Sequence, residues 1–81
     1  MGIEILDDCE FTVLMAEFIK SLAGHDKFTV KIWISGSEIA YTYNHKSDFM
    51  FMQEGFSINT GEWIDYLYYD TIVAMRIYYE S

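Results

Sequence analysis

Few groups in this 81-residue chain could do acid–base, nucleophilic or metal chemistry: His25, His45, Cys9 and the Ser47–Asp48 pair beside His45. Metal binding needs several ligands converging at a set spacing, and neither histidine has a cysteine or a second histidine at one. His25 in "GHDK" and His45 in "NHKSD" read as solvated loop residues. His45, Ser47 and Asp48 are the residue types of a hydrolase triad, but neighbours this close on an extended loop do not readily form its geometry. Cys9 reads as a packed thiol. Asp7, Asp8 and Glu10 lack the glycine and alternating oxygen ligands of a calcium loop and read as helix-capping carboxylates. "ISGSE" has too few glycines for a phosphate cradle and precedes a strand, so it reads as a turn. The expectation is a non-enzymatic chain with no catalytic, cofactor or metal residues.

Composition narrows the class further. A domain of this length buries only roughly 60% of its unfolded surface, so it works near the stability limit. The 52% apolar and 19% aromatic content makes the core dense for its size. One cysteine excludes an internal disulfide and fits a reducing, cytoplasmic setting. No apolar run approaches the roughly 18 residues of a membrane span, and the acidic start "MGIEILDD" is unlike a signal peptide. Thirteen acids against five bases give a net charge of −8. A nucleic-acid backbone is repelled by such a surface, so direct nucleic-acid binding is not expected.

The chemistry-bearing residues must be positioned by one continuous domain, because the chain has no proline, linker or repeat. From Asp7, the residues Phe11, Leu14, Met15, Phe18, Ile19 and Leu22 recur at helical spacing, with Asp7 and Glu10 as a capping pair and Gly24 as the stop. The period then changes to two. "KFTVKIWIS" and "EIAYTY" predict a hairpin turning at Gly36-Ser37, which pairs Ile34 with Ile39, Ile32 with Tyr41 and Val30 with Tyr43. "FMFMQEGFSIN" predicts a second hairpin turning at Glu54-Gly55, with Phe49, Phe51, Phe56 and Ile58 on one face. Residues 2–6 suit a short edge strand.

The segment "EWIDYLYYDTIVAMRIYYES" holds five of the seven tyrosines. As a helix it makes a poor apolar stripe. As a third hairpin turning at Asp70-Thr71 it pairs Ile64 with Ile77, Tyr66 with Met75 and Asp65 with Arg76. This register places Tyr41, Tyr43, Tyr66 and Tyr68, with Tyr79 as a further candidate, toward the helix. The back then holds Tyr69, Tyr78, Trp33, Met50, Met52, Trp63, Leu67, Ile72 and Ala74, an apolar face of the kind that forms dimer or partner surfaces. Glu62, Trp63, Asp65, Tyr69 and Tyr78 are the expected partner-binding residues, with Trp63 and Tyr78 as direct neighbours.

The expected fold is α+β: one N-terminal helix packed on a curled antiparallel meander sheet of about six strands. The expected function is a small acidic protein-interaction module engaging a basic or nucleic-acid-binding protein, since carboxylates along a strand can imitate phosphates. In size, charge and lack of catalytic motifs the chain resembles the small acidic inhibitors that phages encode against host defence, anti-CRISPR and anti-restriction proteins among them. That class shares no common motif, so the resemblance implies a DNA-mimic or inhibitor role and assigns no residue. The alternatives are a homo-oligomeric assembly protein, dimerising through the apolar back face, and a small-ligand binder within the curled sheet.

Overall fold

The computed structural model describes residues 2–6 and 11–80. Cys9 and the expected capping residues Asp7, Asp8 and Glu10 lie outside the described residues. Thr12 caps the helix: its backbone is extended, and its Oγ1 accepts the Met15 N–H at 3.2 Å. Helix α1 runs Val13–Ala23 and ends where the Gly24 N–H donates to the Lys20 carbonyl at 3.0 Å. Met15, Phe18, Ile19 and Leu22, at i, i+3, i+4 and i+7, are buried. Leu14 was expected on this stripe but is 69% exposed, because it sits one residue round from it.

Among the described residues seven strands fit the α+β expectation: β1 (Gly2–Ile5), β2 (Phe28–Ile34), β3 (Tyr41–Asn44), β4 (Asp48–Phe51), β5 (Gly55–Asn59), β6 (Ile64–Tyr68) and β7 (Ile72–Tyr79). They form a mostly antiparallel system divided into two sheets, ordered β1-β4-β5-β6 and β3-β2-β7. β1 is the expected edge piece and runs parallel to β4. Among the described residues no helix is long and apolar enough to cross a membrane.

In the first hairpin Val30 faces Tyr43 and Ile32 faces Tyr41, as expected. The turn lies one residue earlier, at Ser35-Gly36, where Gly36 has φ 83° and the Ser37 N–H reaches the Ile34 carbonyl. The β2–β3 register therefore ends at Ile32 with Tyr41, Ile34 pairs with Ile72 on the opposite edge of β2, and Ile39 is exposed. The second hairpin turns at Gln53-Glu54, closed by a hydrogen bond from the Met52 N–H to the Gly55 carbonyl. Phe51 thus faces Phe56, where a turn at Glu54-Gly55 would have set it against Ile58. This shift of two keeps every side chain on its face, and Phe49, Phe51, Phe56 and Ile58 are buried as expected.

The third hairpin is not formed. β6 pairs with β5 and β7 pairs with β2, so Asp65 faces Ile58 while Arg76 faces Lys31. The reason lies in turn chemistry. Positive φ occurs among the described residues only at Gly36 and Gly61, and Gly61 begins the two-residue turn Gly61-Glu62 between β5 and β6. Asp70-Thr71 lacks a glycine and forms a 3-10 turn, Tyr69–Thr71, that carries the chain from one sheet to the other. The new register exchanges the faces of β6: Leu67 is buried, while Ile64, Tyr66 and Tyr68 point outward.

The core between helix and sheets is a row of rings. Phe49, Phe51, Phe56 and Tyr69 stack in sequence, at 6.5, 4.9 and 6.0 Å between centroids. Phe18 from the helix meets Phe51 at 6.3 Å and 77° and Phe56 at 6.2 Å. Phe18→Ala is expected to cost roughly 3–5 kcal/mol, and Leu14→Ala to be near neutral, in urea unfolding. Equal losses at the two positions would contradict this helix face.

Candidate functional site

Asp65 is turned inward by the β5–β6 register and meets the second sheet. Its Oδ2 accepts the Tyr43 hydroxyl at 2.7 Å and the Trp63 indole N–H at 3.2 Å. Tyr43 lies on β3 and Asp65 on β6, so this contact bridges the edges of the two sheets. Burial first, then the hydrogen bond to Asp65 and its charge, hold the Tyr43 hydroxyl well above the ordinary tyrosine range. Depressions flank the bridge on either side, one reaching Tyr41 and Tyr68, the other Thr42 and Trp63.

The outer face of the β1-β4-β5-β6 sheet carries a second feature. Register aligns Gly2, Asp48, Asn59 and Ile64 in one row and Glu4, Met50, Ser57 and Tyr66 in the next, while Gly55 faces Tyr68. The central strand β5 thus contributes only glycine, serine and asparagine to this face. The result is a trough with a small-residue floor, an acidic wall from Glu4 and Asp48, and an aromatic wall from Tyr66 and Tyr68. An open depression of about 550 Å³ lies on this face beside Glu4, Asp48, Met50 and Ile64. The two tyrosine rings meet edge to face at 5.0 Å.

Gly55 is required for space, since a Cβ there would fall on the Leu67 carbonyl oxygen and press on the Tyr66 ring. Gly61 and its neighbours secure the hairpin end. The Asn59 side chain accepts the Gly61 N–H at 2.9 Å, and the Thr60 hydroxyl oxygen accepts the N–H groups of Glu62 and Trp63.

Of the five expected partner-binding residues, the structure brings together three. Glu62 and Trp63 crown the β5–β6 hairpin, both exposed, and Trp63 donates to the half-buried Asp65. Tyr69 lies at the far end of β6, its ring against Phe56 and Phe11 and its hydroxyl donating to the Met52 carbonyl at 2.7 Å. Tyr78 is on β7 opposite Thr29, so Trp63 and Tyr78 are not strand neighbours. Sequence reasoning missed Glu4, Asp48, Ile64, Tyr66 and Tyr68 as one surface. The signal for it was the alternation of Gly55, Ser57 and Asn59, which leaves one side of a strand without bulk.

His25 is exposed, as expected of a loop histidine, whereas His45 is half-buried. His25 stacks on Tyr79 at 3.7 Å and His45 packs edge-on against Phe28. Among the described residues no group of three His, Cys, Asp or Glu is placed to hold a metal ion.

The seam makes a pH prediction. The folded state holds the Tyr43 proton more tightly than the unfolded chain, whose tyrosines titrate near pH 10. Its contribution to stability is therefore complete below about pH 10 and declines as pH rises above that value. Tyr43→Phe is expected to lessen this alkaline loss while costing roughly 1.5–3 kcal/mol at neutral pH. Urea unfolding at stepped pH measures both. An alkaline slope identical to wild type would detach Tyr43 from it. Compared with protein-family models, with curated proteins and with solved structures, the chain finds no match in any of the three.

Proposed function

We propose that this chain is a non-enzymatic binding module whose acidic trough takes a basic segment of a protein partner. The observation that carries the reading is the charge and shape of one sheet. β1, β4, β5 and β6 hold Glu4, Asp48 and Asp65 and no basic residue. Its outer face exposes Ile64, Tyr66 and Tyr68 beside Glu4 and Asp48. A lysine or arginine stem lying along the small-residue floor rests its methylenes on Ile64 and Met50. Its cation then meets Glu4 and Asp48, or the face of a tyrosine ring.

The space under the helix is filled by the Phe18, Phe51 and Phe56 rings, which favours the outer trough over an internal ligand site. Proteins that hold nucleic acid present lysines and arginines in extended arrays and are the class of partner that suits this surface best. On that reading the chain acts as an inhibitor or nucleic-acid mimic, in line with its resemblance to phage-encoded antagonists of host defence.

Aromatic anchors and carboxylates should separate kinetically. Tyr66→Ser with Tyr68→Ser is expected to weaken a captured basic partner by about 2 kcal/mol or more, mainly through faster dissociation. Glu4→Lys with Asp48→Lys is expected to slow association and reduce its salt dependence. Kinetics at two salt concentrations, with DNA as competitor, test both. Unchanged binding in both double variants, with the fold intact, would remove the trough from the function.

A further inference from the structure

The four edges of the two sheets are unequal. β1 and β3 have four residues and β6 five, whereas β7 runs for eight, with no proline and Arg76 as its one charge. The edges of β3 and β6 are tied together by Tyr43 and Asp65. Among the described strands β7 pairs only with β2. Its far edge therefore presents a row of main-chain donors and acceptors of the kind an extended peptide completes. Val73 on this strand is 67% exposed.

Charge along this edge is opposite to that of the whole molecule. β2, β3 and β7 hold Lys31 and Arg76 and no acid, in a chain of net charge −8. Lys31 and Arg76 are register partners on the outer face, an arrangement that destabilises a sheet when nothing neutralises it. The Arg76 guanidinium lies over the Trp33 ring at 5.8 Å and donates to the Tyr78 hydroxyl at 3.4 Å. That hydrogen bond, reinforced by the charges of Arg76 and Lys31, draws the Tyr78 hydroxyl below its ordinary range. Two cations thus lie side by side on this face of the sheet.

We propose that the outer edge of β7 takes up an extended acidic segment of a partner protein as an added strand, with a carboxylate seated against Arg76 and Lys31. Main-chain hydrogen bonds hold the segment, and alternate side chains select it: carboxylates on the outer face, apolar residues beside Met75 and Ile77. The carboxylate relieves the repulsion between the two cations and accepts charge-assisted hydrogen bonds from them. A nucleic-acid strand fits less well, because two cations release few counterions and the rest of the chain repels a polyanion. This site is independent of the acidic trough, which lies on the other sheet.

The test uses the full chain and two short labelled peptides, one alternating valine with glutamate and the other valine with lysine. The glutamate peptide is expected to bind, with slowed amide exchange along β7, and Arg76→Gln to weaken it by roughly tenfold or more. Arg76→Glu with Lys31→Glu is expected to reverse the preference in favour of the lysine peptide. Both substitutions are at partly or fully exposed positions, so folding is retained. Equal binding of the two peptides by wild type, exchange protection confined to the trough, or preference for a thymidine oligonucleotide would overturn the proposal. So would self-association of the protein through β7 in place of peptide uptake.

Discussion

The surface chemistry of this molecule depends on how closely β6 can approach β5. Gly55 allows the approach, because its missing side chain leaves room for the Leu67 carbonyl and the Tyr66 ring. Gly61 sets the register by supplying the positive φ of the hairpin turn. With that register in place, Leu67 fills the core, Asp65 points at Tyr43, and Tyr66 and Tyr68 become the aromatic wall of the trough. A one-residue slip would expose Leu67 and bury the tyrosines, dismantling seam and trough together.

The two sheets are joined by unlike means. Apolar contact supplies most of the stabilisation, through the row of rings from Phe49 to Tyr69 with Phe18 laid against it, and aromatic side chains bury large areas per residue. The Tyr43–Asp65 hydrogen bond adds direction. A half-buried carboxylate is tolerated only with donors, and here the tyrosine hydroxyl and the tryptophan N–H both supply one. Such a bond specifies which edges face each other, a matter that apolar contact leaves open. The acids and bases of the strands fall on separate sheets, so one small domain carries two sheets of opposite charge.

The fold class and most of the core were legible in the sequence, since Met15, Phe18, Val30, Ile32, Phe49, Phe51, Phe56 and Ile58 all stand at helical or alternating spacing. The first two hairpins kept their faces even where a turn moved, because a shift of two preserves alternation. The third hairpin failed at "DYLYYDT", where the tyrosines and Leu67 form an almost continuous apolar run. Alternation there does not say which parity goes inside. Non-local pairing decided it: β7 joins β2 across the length of the chain, and a lone Asp65 turns inward because Tyr43, distant in sequence, donates to it. The candidate site followed the same division. Glu62 and Trp63 were placed together from sequence, whereas the trough is assembled from four strands and emerged only with their order.

The pairing of β2 with β7 also bears on how the chain reaches this state. β2 is synthesised well before β7, so one edge of β2 lacks its native partner until β7 has emerged. Pairings between residues this far apart in sequence carry a large loop-closure cost and slow folding. The local hairpins β2–β3, β4–β5 and β5–β6 can form first, each from neighbouring residues. On loop-closure cost, the pairing of β7 with β2 around Ile32 and Val30 is expected to follow them. During translation the hydrophobic strand "FTVKIWI" therefore stands with one side open until β7 arrives, and an open strand edge of this kind is a place where off-pathway association can start.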